Sequence, residues 1–206
     1  MRTRPLSRRR YPVAAGAMAF AFISGAAMAH PGHEQAMSNS MFQAGLSHPL
    51  TGLDHLLAMV AVGVWAALSY QTIRQAIWTP VVFLCLLLAG ALAGIAGLPL
   101  PGVEPVIAAS LLVLGLLLAS RTTLTGPASA LLVGFFALFH GMAHGSELPA
   151  GAGASAFIAA FMLSTLFLHG LGLMGGFALK RHAAWLARVA GAGIAAYGVS
   201  LLAATT

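Results

Sequence analysis

The sequence predicts an all-α, polytopic membrane helix bundle, with six transmembrane helices after a cleaved N-terminal signal peptide and both mature termini in the periplasm. Three observations lead there. Hydrophobic side chains make up 59% of the 206 residues and charged ones only 7%, and the mean hydropathy is +0.90, so there is too little polar surface to coat a water-soluble core. The apolar residues gather into runs of membrane length instead of short amphipathic stripes. The few charges, finally, are sorted by position along the chain.

Residues 1–29 join a basic start (Arg2, Arg4, Arg8, Arg9, Arg10) to an apolar stretch from Val13 to Ile23 and a small-residue ending, Ala27-Met28-Ala29. That is the pattern of a secretory signal peptide. The apolar stretch is short for a span of about 20 residues, which favours cleavage after Ala29 over retention as a first helix, and makes His30 the mature N-terminus. Residues 30–206 are expected to form one transmembrane domain. Its apolar runs lie near 49–69, 80–98, 103–120, 127–145, 155–177 and 183–203. Each must be helical, because lipid offers no partner to a free backbone group and the runs are too continuously apolar for barrel strands. Pro49, Pro80, Pro99, Pro101, Pro105, Pro127 and Pro149 punctuate the boundaries. Pro49 is expected in the first turn of the first span, where a missing N–H is harmless, leaving His48 just outside the helix.

The formal charge of +6 does not describe a nucleic-acid surface, since half of the basic residues sit in the signal peptide. Of the others, Arg74, Arg121 and the pair Lys180-Arg181 fall in the first, third and fifth connections, while the second and fourth have no Lys or Arg. Odd connections are therefore expected in the cytoplasm. Glu34, Asp54, Glu104 and Glu147 then fall on the periplasmic side or in the outer half of the bundle, an arrangement that favours cations at the outer mouth. Glu104, ahead of Pro105, reads equally well as a helix cap. Cys85 is the single cysteine; with no partner for a disulfide and no CxxC motif, it reads as packing. Gly90 with Gly94 and Gly172 with Gly176 place small residues four apart, a spacing that permits close helix contact but that arises readily by chance among 24 glycines. No internal repeat is evident.

Chemistry concentrates in three spans. The first carries His48, Asp54, His55 and Met59 within twelve residues, and imidazole suits divalent nickel, cobalt, copper or zinc. On one continuous helix His48, Gly52, His55 and Met59 fall within about 60° of each other, with Asp54 about 100° away from His55. Asp54 is thus either an outer partner of a ligand or a ligand from a neighbouring face. The fourth span ends in Phe139-His140-Gly141-Met142-Ala143-His144-Gly145-Ser146-Glu147. Its two histidines lie four apart on one face, a spacing able to hold one metal. His169 stands alone in the fifth span; a lone histidine often only packs, but an ionisable group inside a membrane span is a functional candidate. With about 1.5 Å of rise per residue, His55 and His140 fall about 10 and 8 Å below the outer surface, and His169 about 20 Å. His48, His144 and Glu147 are expected nearer the mouth. A purely structural role for so many buried imidazoles is disfavoured by their cost in lipid.

The string HPLTGLDHLLAMVAVG (His48 to Gly63) resembles the first-helix signature of the HupE/UreJ family, and FHGMAHGSE (Phe139 to Glu147) its fourth-helix signature. The likeness also takes in the signal peptide, a histidine at the mature N-terminus, six spans and STLFLHGLG around His169. It implies a secondary permease for nickel, in some members cobalt, that supplies hydrogenase, urease or cobalamin pathways. Matched by motif, His48, Asp54, His55, His140, His144 and Glu147 would recognise and pass the metal, with His169 in second rank. His30 and His33 would assist capture outside, together with Met59, although Pro31 lacks the N–H of a standard amino-terminal metal chelate.

The expected activity is uptake of Ni2+ or Co2+ from periplasm to cytoplasm through the bacterial inner membrane, with the ion as cargo and no resident cofactor. A P-loop is absent from the sequence, so no nucleotide drives the step within this chain. Two alternatives are an intramembrane metal-dependent hydrolase, for which Ser146 and Ser164 lie near histidines but no HExxH or GxSxG motif exists, and a membrane metal sensor or accessory protein.

Overall fold

A computed structural model of the protein describes residues 33–148 and 151–205. The expected signal peptide and His30 lie outside the described residues. Only the backbone is described at His33 and Glu34, at the start of the first helix. Among the described residues there are eight helices and no strand: α1 His33–Thr51, α2 Leu53–Ser69, α3 Ile73–Ala76, α4 Trp78–Ile95, α5 Val103–Ser120, α6 Pro127–Glu147, α7 Ala152–His182 and α8 Ala184–Ala204.

Five segments are long and apolar enough to cross a membrane unbroken: Ile73–Ile95, which joins α3 to α4, then Val103–Ser120, Pro127–Glu147, Gly153–His182 and Ala184–Ala204. They correspond to the second through sixth expected spans. The first differs. Asn39–Thr51 and Leu53–Ser69 meet at a 75° bend, so the expected helix over 49–69 is two helices with Gly52 between them. Gly52, with φ −89° and ψ 113°, is extended. Pro49 accordingly sits in the last turn of α1 and not the first turn of a span, and His48 lies inside a helix instead of just before one. α2 alone, at 17 residues, rises only about 26 Å; the bent pair together is long and apolar enough to count as a sixth candidate span, broken at Gly52.

Close backbone approach holds the bundle together. Lipid offers no hydrophobic drive to helix association, so contact relies on small residues that let backbones meet. Gly90 and Gly94 of α4 lie against the backbone of α6 at Leu138, Met142 and Gly145, and Gly141 of α6 lies against Leu87 and Ala91 of α4. Gly172 and Gly176 of α7 lie in the same way on Val60, Gly63 and Val64 of α2. Both glycine pairs seen in the sequence are therefore packing seams. A third seam joins Gly115 of α5 to Gly191 and Ala195 of α8. The dominant partnerships are α4 with α6, α5 with α8, α2 with α7 and α1 with α7.

α7, with 31 residues, is about 46 Å long and serves as a rail. Gly63 of α2 meets its middle, and Gly45 of α1 meets it near Phe157. The bend at Gly52 thus folds His48 back over the start of α2. Glu104 lies in the first turn of α5 but does not cap it; the N-cap is Gly102, with φ 75°. Its carboxylate still complements the positive end of the helix dipole. Cys85 is exposed on the outer side of α4 and so is not a packing residue.

Candidate metal site

Four imidazoles from three helices converge at one end of the bundle. His48 comes from the last turn of α1, His55 from the first turn of α2, and His140 and His144 from the last two turns of α6. Ring centroids are 4.6 Å apart for His48 and His144, 4.4 Å for His55 and His144, and 5.0 Å for His55 and His140. The separate mouth and binding levels expected from helix depth are compressed into one cluster, because α1 doubles back at Gly52. His140 and His144 share a face through their four-residue spacing, as the motif requires. Gly141 and Gly145 between and after them seat that stretch of α6 against Ala91 of α4.

The cluster is enclosed. His140 is fully buried and His144 and His55 nearly so, while His48 is half-buried. Phe157 and Phe161 of α7 wall its outer side: His48 lies 5.6 Å from Phe157 and His144 lies 4.7 Å from Phe161, centroid to centroid. The apolar wall strengthens every charge interaction inside it.

Hydrogen bonds fix where the protons sit. An ionised Asp54 only accepts, so His55 donates Nδ1–H to Asp54 Oδ1 at 3.1 Å. His55 Nε2 is then a lone pair, and the 2.7 Å contact with His144 Nε2 has His144 as donor. His144 Nδ1 in turn is bare, buried and without a partner. Asp54 thus orients the His55 ring directly and the His144 ring through it.

Deeper along α7, His169 donates Nδ1–H to the Thr165 carbonyl at 2.8 Å. Its Nε2 is buried with no partner. The ring of Phe83 on α4 contacts both groups, 4.9 Å from His169 and 6.3 Å from His140, centroid to centroid. One aromatic ring thus neighbours both His169 and His140, and a span of aliphatic residues gives no signal that Phe83 holds that place. Ser110 of α5, 3.0 Å from His140 Nε2, is likewise unannounced, since single serines are ordinary in spans.

Two other candidates differ in setting. Glu147 is exposed at the end of α6, and Met59 is buried in the apolar core beside Val62 and Trp65. Among the described residues, no three His, Cys, Asp or Glu side chains already surround one point as metal ligands do. The His55–His144 contact explains this. Two nitrogens bound at about 2.0–2.1 Å to one tetrahedral ion stand about 3.3 Å apart, farther than the 2.7 Å seen here, so an ion entering between these rings must open that hydrogen bond.

A family model described as HupE / UreJ protein matches residues 18–201 of the chain. Protein HupE of Rhizobium leguminosarum bv. viciae is 42% identical over 161 residues, which cover 77% of this chain and 83% of that relative. No solved structure matches the chain.

Proposed function

The chain belongs to the HupE/UreJ family of multi-pass inner-membrane permeases, and from that premise we propose that it takes up nickel, or cobalt, through the histidine cluster between α1, α2 and α6. The observation that carries the reading is the convergence of His48, His55, His140 and His144 into one buried group. Burying so many ionisable rings in a membrane bundle is costly without a function to retain them.

In this proposal the histidine-bearing end faces the periplasm, as the basic residues Arg74, Arg121, Lys180 and Arg181 at the other end require under the positive-inside rule. Asp54, Glu104 and Glu147 draw M2+ to the mouth. His48 is the half-exposed first ligand. The lone pairs on His144 Nδ1 and His140, with that of His55 Nε2 once the hydrogen bond from His144 has opened, replace part of the ion's water shell. Asp54 balances charge through His55. The next lone pair inward is His169 Nε2, beside Phe83. Imidazole and water ligands, with no thiolate, hold the ion loosely enough to release it.

The test is uptake of radioactive Ni2+ into cells or proteoliposomes by wild type, His55→Ala and His140→Ala. Flux in the wild type, abolished in both variants with the protein still folded in the membrane, is the expected result. Folded wild type without flux of either metal would overturn the permease reading; binding without flux would point instead to a sensor. A periplasmic reporter fused after Thr206 checks the sidedness, and an inactive fusion contradicts it.

A further inference from the structure

We propose that Ser110 is a positioning residue: it holds His140 with the proton on Nε2 and so turns the bare Nδ1 toward the cargo ion. The inference rests on the metal-permease reading for its functional meaning, but the bond itself stands on geometry alone.

Ser110 lies in α5, a helix that supplies none of the clustered histidines. It is fully buried, as is His140. Its Oγ is 2.7 Å from the Ile107 carbonyl and 3.0 Å from His140 Nε2. A hydroxyl has one proton and must choose. If it donates to Ile107, the shorter contact, then Oγ accepts from His140 Nε2–H and the ring is left with a lone pair on Nδ1. If it donates to His140, then Nδ1 carries the proton, and a buried N–H has no acceptor, because His140 Nδ1 is without any partner. An orphaned buried donor is among the rarest features of folded proteins. The first arrangement avoids it, and leaves instead the group that a cation needs.

The same pattern recurs at the other inner rings. Asp54 acting through His55 leaves His144 Nδ1 bare, and the Thr165 carbonyl leaves His169 Nε2 bare. Each of the three rings has one nitrogen committed to an oxygen or to a neighbouring imidazole and the other left open. For His140 the oxygen is a side chain, which makes this member of the set open to substitution. Outer partners of this type fix the tautomer and orientation of a metal-binding histidine.

The test uses the full chain in detergent micelles with 15N-labelled histidine rings and no metal, reading which ring nitrogen carries the proton. The His140 signals are identified by their loss in His140→Gln. The expected wild-type result is a protonated, hydrogen-bonded Nε2 and a bare Nδ1. In Ser110→Ala the Nε2 signal should leave its hydrogen-bonded position, and Ni2+ affinity by equilibrium dialysis should fall about 10–100-fold. Ser110→Thr keeps the hydroxyl and should keep both properties. A wild-type proton on Nδ1, an Nε2 signal unmoved by Ser110→Ala, or an alanine variant with wild-type affinity would each overturn the proposal. Should the alanine variant fail to fold, the wild-type tautomer still decides. Absence of nickel binding by the wild type would sink the permease reading instead, and the ring signals would still decide the Ser110 bond.

Discussion

The two ends of the bundle use polar groups in opposite ways. At the end carrying Arg74, Arg121 and Lys180, the large polar side chains are spent on helix ends. Trp65 Nε1 donates to the Thr122 carbonyl at 2.9 Å, Tyr70 accepts from the Gly126 N–H at 2.9 Å, and Lys180 donates to the Tyr70 carbonyl at 2.8 Å. Thr79 and Ser129 pair at 3.0 Å between α4 and α6. Among the described residues at that end, the Ser69 hydroxyl alone is buried without a partner. At the other end His140 and His144 each keep one buried nitrogen with no partner, as does His169 farther along α7, with the Thr165 hydroxyl one turn before it also unpartnered. A buried group left unpaired destabilises the fold, so the contrast separates side chains that build the bundle from those held open for something that arrives later.

The largest effect that tests this contrast is at the open end. His144→Ala should lower nickel uptake about 100-fold or more, while the protein stays folded in detergent at a reduced thermal midpoint, because the ring's packing on Phe161 and its hydrogen bond to His55 are lost. A variant that unfolds while any surviving protein still transports would show His144 to be a building residue after all. Asp54→Asn comes next. It keeps the size of the side chain but loses the carboxylate that holds the His55 proton, and Ni2+ binding by equilibrium dialysis should weaken about 10–100-fold. Wild-type affinity in that variant would mean that the proton order along His55 and His144 does not depend on Asp54.

Most of this contrast was legible in the sequence, and the part that was not has a local cause. Helix type and the existence of five long segments follow from apolar length, because lipid permits no other backbone arrangement; the bounds follow less closely, as with 80–98 against Ile73–Ile95 and 155–177 against Gly153–His182. The His140–His144 face follows from a spacing of four. His48 was misplaced relative to the helix, since Pro49 reads naturally as a helix start and nothing in HPLTGLDH marks a 75° turn. That one bend brings His48 onto His144 and merges two expected levels into one. Ser110 and Phe83 belong to the site through contacts between α4, α5 and α6, which no spacing within a single segment encodes.

Gly141→Ala probes the seam between the two regions. A Cβ there meets the Leu87 carbonyl of α4, a backbone atom that cannot swing aside, so α6 must shift at the residue next to His140. Overpacking of this sort costs about 1–3 kcal/mol. The melting temperature should drop and nickel affinity should fall with it; a drop in stability with affinity intact would show that the cluster tolerates movement of α6.

The smallest effect is expected at the closed end, and it completes the comparison. Tyr70→Phe deletes a single oxygen, which accepts from the Gly126 N–H and lies 3.4 Å from Ser129 Oγ. Loss of that bond should cost about 1 kcal/mol of stability, visible as a modest fall in the thermal midpoint. Nickel affinity should stay at the wild-type value, since no imidazole contacts this network. If uptake instead falls as far as in Asp54→Asn while the midpoint holds, Tyr70 belongs to the cargo's route out of the bundle, and the division between a building end and a binding end no longer stands.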